Sequence, residues 1–171
     1  MISIRAVTPQ EWSKYRDVRL QALQDSPDAF GSTWEAEVAR ADDNWSERLA
    51  AAATGGKDRV LFAINDEQVC GLIWCKLSDS EPGVADIYQM WVEPAVRGQG
   101  AGHALLTQAL AWAKKCGTQL VRLGVTVADS PAMRLYKAHG FFPVGNLALL
   151  RQGSELQVQA MELNWACAAA R

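Results

Sequence analysis

The 171 residues predict an α+β fold in which a mixed, mostly antiparallel central sheet is flanked by helices in three layers. Three observations carry this expectation. The element order reads β-α-α-α-β-β-β-α-β-α-β-β. Three consecutive strands in the middle of the chain are joined by tight turns and so must pair antiparallel. A strand, a short turn and a helix then follow one another without interruption from Met90 to Ala113, with glycines at alternate positions of the turn. Composition agrees: 49% hydrophobic and 21% charged residues suit one globular domain, read as residues 1–165 with a tail at 166–171. A net charge of −2 and a pI near 5.7 leave no basic footprint for nucleic acid or an anionic membrane surface. Cysteines at 70, 75, 116 and 167 lack a Cys-x-x-Cys spacing, and the two histidines, His103 and His139, complete no metal-site pattern, so the expectation is reduced thiols and no metal. The first residues lack the apolar core of a signal peptide and no run is long enough to span a bilayer, which points to the cytoplasm.

In order, Ile2–Val7 alternates as a strand that stops at Thr8-Pro9, a good helix entry. A helix follows to about Gln24, with Trp12, Tyr15, Val18 or Arg19, Ala22 and Leu23 facing the core. Ser32 or Thr33 can cap a short helix with acids in its first turn. Asp43–Thr54 forms another, with Trp45, Leu49 and Ala52 or Ala53 on one side and Gly55-Gly56 at its end. Arg59–Ile64 and Gln68–Leu77 read as a hairpin around Asn65-Asp66-Glu67, and Ser78–Gly83 turns into a strand over Val84–Val92. Helix Gly100–Cys116, strand Gln119–Val127, helix Ser130–His139 and strands Phe142–Leu147 and Leu156–Leu163 follow, then a frayed tail from Asn164 to Arg171. Ser130 with Pro131 behind it, and Gly140 at the far end, fit the start and stop of the last helix.

The stretch Arg97-Gly98-Gln99-Gly100-Ala101-Gly102 has the build of an anion cradle. Glycines permit positive φ and close approach, and the first N–H groups of a helix lack internal partners at its positive end. A phosphate or pyrophosphate is the natural occupant. No Lys-Ser or Lys-Thr follows, so it is not a P-loop; the dinucleotide pattern would need glycine at Leu105 or His103, so that fails as well.

This stretch resembles motif A of the GNAT superfamily of acetyl-CoA-dependent N-acetyltransferases, Arg/Gln-x-x-Gly-x-Gly/Ala. About thirty residues on, Asp129-Ser130-Pro131-Ala132-Met133-Arg134-Leu135-Tyr136-Lys137-Ala138-His139-Gly140-Phe141 resembles its motif B, Asn-x-x-Ala-x-x-Leu-Tyr-x-x-x-Gly-Phe, with Asp129 for the Asn. The resemblance covers roughly Ile2 to Leu163. It implies acetyl-CoA as donor, a small-molecule or peptide amine as acceptor, and leaves a homodimer open. It also implies that Met90, Trp91 and Val92 pair with the pantetheine arm, a backbone N–H there facing the thioester oxygen. The pyrophosphate would lie over Gly98, Gln99, Gly100, Ala101, Gly102 and His103, with Arg97 opening the turn. Asp129 can only accept where the motif's amide could donate, so either Ser130 takes that contact or the site has drifted.

Acetyl transfer needs a bound thioester, an oxyanion donor, a neutral amine and a proton for the leaving thiolate. By the resemblance Tyr136 supplies the proton, and phenol and thiol reference pKa values of about 10 and about 8.5 permit that transfer. Asp86 matches the base position of one branch of the family. Strand periodicity sets Asp86, Tyr88, Met90 and Val92 on one face, toward the thioester. Another branch carries its acid on the next strand, where this chain has Gly124. An α-amine with a reference pKa near 8 is already partly neutral at physiological pH, so a base is dispensable for such an acceptor. By the resemblance, the segment between the first two helices forms part of an acceptor wall, with Phe30, Trp34, Glu35 and Glu37 as its candidates; the alternative is that the acids complement a helix dipole while the aromatics pack. With Asp86, Tyr88 and Trp91 these acids would suit a cationic amine. The rival to a transferase is a noncatalytic acyl-CoA-binding sensor of the same fold.

Overall fold

The computed structural model describes residues 1–165. Its elements are β1 (Ile2–Ala6), α1 (Trp12–Asp25), α2 (Trp34–Val38), α3 (Asp42–Thr54), β2 (Asp58–Asn65), β3 (Gln68–Leu77), β4 (Val84–Val92), α4 (Ala101–Lys115), β5 (Leu120–Thr126), α5 (Pro131–Ala138), β6 (Phe142–Leu149) and β7 (Gln157–Asn164). The order is the expected one. The strands form a seven-stranded sheet in the order β1-β2-β3-β4-β5-β7-β6. Only β4 and β5 run parallel, because α4 carries the chain back between them, whereas the other neighbours pair antiparallel.

The sheet separates two cores. On one face α4 buries Leu105, Leu106, Ala109 and Ala113 against Ile73, Ile87, Val121 and Met161. On the other, α1 and α3 bury Tyr15, Leu23, Trp45 and Leu49 against Phe62, Leu72 and Trp91. Each such fully buried apolar side chain contributes about 1.5–3 kcal/mol, and removing one leaves a cavity as well. The α1 stripe is the one the spacing predicts, and it includes both Val18 and Arg19.

Thr33, rather than Ser32, caps α2, its hydroxyl accepting from the Ala36 N–H at 3.2 Å. The strand expected to end at Leu163 continues to Asn164, and Trp165 still donates its N–H to the Gln119 carbonyl at 2.9 Å. Fraying from Asn164 is therefore corrected, while the tail expectation for residues 166–171, with Cys167, falls outside the described residues. Among the described residues no helix is long and apolar enough to cross a membrane.

Candidate active site

β4 and β5 pair only at Val84 with Leu120, Ala85 with Val121 and Asp86 with Arg122. Past Asp86 they part. β4 stays with β3 through Val92, and β5 stays with β7 through Thr126, so a wedge opens between them with strand edges along both sides. The cause lies in β4. Its register with β3 shifts between Leu72 and Trp74, and Gln89 stands at φ 59°, an extra residue that bends the strand away. The Tyr15 hydroxyl donates to Gln89 Oε1 at 2.6 Å and holds the bulge from α1.

The bulge corrects the one-face expectation for this strand. Ala85 and Ile87 lie in the α4-side core, and Met90 and Val92 pack against that same core. Trp91 lies in the opposite one, and Tyr88 pairs with Trp74, which packs there too. Asp86 and Tyr88 thus face the α1 side, and Met90 and Val92 the α4 side, because the inserted residue changes the alternation between them.

Beyond Val92 the chain passes through a 3-10 turn at Pro94–Val96 into Arg97 and the glycines. Gly98 and Gly100 have φ of 81° and 91°, and a Cβ at either would stand in open space. Gly102 is different. A Cβ there would meet Leu135 Cδ2 at 3.2 Å and Met90 Cε at 3.3 Å, so this glycine lets α5 and β4 close on α4. Among the described residues no backbone carbonyl accepts from the N–H groups of residues 98–103. These donors lie at the positive end of α4, with open space beside Gly98 and Gly100, an arrangement that suits a pyrophosphate.

Arg97 braces this turn. Its Nε donates to the Val92 carbonyl at 2.9 Å and its Nη2 to Asp25 Oδ2 at 2.7 Å. The same carboxylate oxygen accepts the Trp91 indole N–H at 3.0 Å and the Ser26 hydroxyl at 2.7 Å. The indole bond above all, then Ser26 and Arg97, holds the Asp25 carboxyl below its usual range. His103, in the first turn of α4, meets His139 at the end of α5, with Nδ1 and Nε2 at 3.0 Å. Burial, and then His103, lowers the His139 pKa.

In α5 the Ser130 hydroxyl caps the helix by accepting from the Met133 N–H at 3.1 Å, while exposed Asp129 pairs with Arg134 at 2.8 Å. Tyr136 is buried in the α4-side core, its ring edge-on to Phe141 at 5.9 Å. Burial alone pushes its phenol well above the usual tyrosine range, so the group stays protonated.

On the α1 side a cavity of about 600 Å³ is lined by Leu23, Gln24, Thr33, Trp34, Glu35 and Arg151, with Pro27. Trp34 and Glu35 are two of the residues that the resemblance assigns to an acceptor wall. Phe30 lies just behind, buried, its ring over the Arg19 guanidinium at 4.5 Å and its carbonyl accepting from Arg151 Nη1 at 2.8 Å. Tyr88 is half exposed on the strand, and burial raises its phenol.

The expected acidic wall is not what forms. Glu37 is buried between Arg40 at 2.8 Å and Arg48 at 3.5 Å. Asp86 pairs with Arg122 at 3.2 Å, and Arg122 also holds Glu81 at 2.6 Å. Of the expected acids only Glu35 lines the cavity. An acid at position 124 would crowd the sheet: a Cβ there would stand 2.8 Å from Val158 Cγ1, so that side chain would have to shift. Sequence reasoning missed Asp25, Gln89 and Arg151. Arg19 alone left a signal, as a charged residue at a core-facing helix position.

Residues 19–141 match the acetyltransferase (GNAT) family. A mycothiol acetyltransferase of Brachybacterium faecium is 30% identical over 138 residues, 78% of this chain and 38% of the relative. The chain spans less than half the length of the curated relatives it matches. Among solved structures, an acetyltransferase of the GNAT family from Streptococcus pneumoniae superposes with a TM-score of 0.81 at 18% identity, covering 96% of this chain and 99% of the other. The yncA protein of Salmonella typhimurium, solved with its cofactor acetyl-CoA, gives 0.79 at 19% identity over 96% and 94%. The matched span takes in both glycine-rich turn and tyrosine helix, over more than half of the sequence, and the chain belongs to the acetyltransferase (GNAT) family.

Proposed function

We propose that the chain is an acetyl-CoA-dependent N-acetyltransferase that moves an acetyl group to a primary amine by direct attack on the thioester. The observation that carries this reading is the wedge between β4 and β5, with unpartnered helix N–H groups at one end and a cavity on the far side of the sheet. The N–H groups of Gly98 to His103 would hold the pyrophosphate, steadied by Arg97, and the edge of β4 at Met90, Trp91 and Val92 would pair with the pantetheine arm. Asp129 and Ser130, at the start of α5, would add polar contacts to the cofactor. Bound acetyl-CoA supplies a thioester whose carbonyl carbon is open to attack and whose sulfur leaves as a thiolate.

The chain's own residues do the rest. A β4 backbone N–H polarises the carbonyl oxygen. Tyr136, kept protonated by burial, gives its proton to the sulfur as the C–S bond breaks. The amine forms the new C–N bond and sheds a proton, which Asp86, at the last paired position before the wedge and on the acceptor side, takes through water. Phe30, Trp34, Glu35 and Tyr88 form or back the acceptor wall. The acetyl-CoA-bound yncA structure and the mycothiol acetyltransferase support the donor.

Calorimetric titration with acetyl-CoA, followed by thiol release against a panel of amines, tests this. Binding with release is expected. Binding without release from any amine would favour the sensor, and no binding would overturn both. Within the same assay, Asp86→Asn is expected to lower turnover several-fold at pH 6 and little at pH 9, where the amine is largely neutral; an equal loss at every pH would remove Asp86 from the base role.

A further inference from the structure

The cavity wall carries one cation, Arg151, beside one acid, Glu35, where the acids of the sequence imply an anionic wall. Arg151 lines the cavity with its guanidinium fixed in place, Nη1 donating to the carbonyls of Pro27 at 3.3 Å and Phe30 at 2.8 Å. Those bonds occupy one nitrogen. Among the described residues no carboxylate pairs with Arg151, and its Nε and Nη2 are without protein acceptors.

Behind Phe30 stands a second cation. Arg19 is 5% exposed, one helical turn before Leu23 of the cavity wall, and its Nη1 bonds to nothing. Burial lowers its pKa, and the carboxylate that comes nearest to compensating, Glu37, is already held by Arg40 and Arg48. A buried guanidinium without a paired anion is costly, and the two arginines that contact Phe30, Arg19 at its ring and Arg151 at its carbonyl, put two cations at this end of the cavity. The position is functional in reach: the turn whose Pro27 carbonyl holds Arg151 is also tied to the end of β5, by the Thr126 hydroxyl donating to the Asp28 carbonyl at 2.6 Å. β5 is one wall of the wedge.

We propose that the acceptor is an amine that also carries a carboxylate, an amino-acid-like zwitterion, with the carboxylate seated on the free edge of Arg151. The proposal rests on the transferase reading above. A planar guanidinium with two unused nitrogens matches a carboxylate in a bidentate pair. Glu35 on the same wall tolerates a zwitterion and repels an acceptor whose net charge is strongly negative. The arrangement also bears on the nucleophile: neutralising the substrate carboxylate, beside a second cation, shifts the neighbouring ammonium toward its neutral form. A site whose acids Asp86 and Glu37 are tied to arginines thereby gains a reactive amine without a strong base.

The test compares α-amino acids with their primary amides in the thiol-release assay. The amide keeps the amine and loses the anion. Wild-type protein is expected to prefer the acid by roughly 10- to 100-fold in kcat/KM, the value of one charged hydrogen-bonded pair. Arg151→Gln should raise KM for the acid by a similar factor with kcat within a few-fold, and so collapse the acid-over-amide preference toward one. Binding of the N-acetylated acid, followed by calorimetry without turnover, should weaken in parallel. The wild-type comparison needs no variant, so misfolding of Arg151→Gln cannot mask the answer. Equal use of acid and amide, or preference for the amide or a polyamine, overturns the carboxylate proposal and leaves the transferase standing. Absence of release from every amine overturns the transferase and this proposal with it.

Discussion

Gly100→Val is expected to weaken acetyl-CoA binding by at least about 100-fold while the protein remains folded. Gly100 stands at φ 91° at the N-cap of α4, where an L side chain costs roughly 1–2 kcal/mol and a β-branched one more. That strain falls on an exposed turn outside both cores. The added Cβ would stand in open space, with nothing beyond its chain neighbours within 4 Å, and this is the space from which a pyrophosphate would reach the N–H groups. Loss of two or more charged hydrogen bonds, at about 1.5–3 kcal/mol each, accounts for the magnitude. Calorimetry reports the affinity, and a thermal melt beside it reports the fold. Gly102 would be the wrong probe, since its substituent collides with Leu135 and Met90 and would disturb the packing of α5 as well. Unchanged affinity in Gly100→Val would remove the cradle from the proposed site.

Tyr136→Phe is expected to lower kcat by about 10²- to 10³-fold with acetyl-CoA affinity within a factor of two. The ring stays, so the contact with Phe141 and the α4-side core is kept, and only the hydroxyl is lost. The pH dependence is a second readout. A phenol whose pKa is raised by burial remains a proton donor through pH 10, the ordinary tyrosine value, so the wild-type rate should show no alkaline loss from this group there. Equal activity of the variant would exclude Tyr136 as the acid. A fall in rate between pH 9 and 10 that vanishes in the variant would mean that the hydroxyl titrates normally, contrary to its burial.

The order of all the strands and helices was legible because it rests on local signals: alternation, helical spacing, Ser130-Pro131 at a helix start, glycines at turns. So was the glycine turn. What escaped is held by contacts between distant parts of the chain. Gln89 is not a turn residue, and it bulges because a hydroxyl from Tyr15, 74 residues earlier, holds its side chain. Arg151 sits in a loop with no pattern of its own and becomes a cavity residue through carbonyls more than 120 residues away. The acids were visible as acids, but a sequence does not say which of them an arginine will neutralise. Glu37 and Asp86 are held by arginines, and Glu35 shares the cavity wall with Arg151, so the wall is of mixed charge and not the acidic one expected.

The inserted residue in β4 is a matter of parity. Up to Ile87 the odd positions of this strand serve the α4 side, and after Gln89 the even ones do. A single strand can therefore present Asp86 and Tyr88 to one chamber and Met90 and Val92 to the other, with Trp91 rejoining the first through Asp25. Parity does not change by degrees. Side chains here can be exchanged for others of similar size, but a one-residue deletion at Gln89 would swap the sides of everything from Met90 onward. It would turn an indole out of one core into the other and carry the glycine turn around with it. Length, more than identity, is the conserved quantity that this geometry demands of the segment between Ile87 and Arg97.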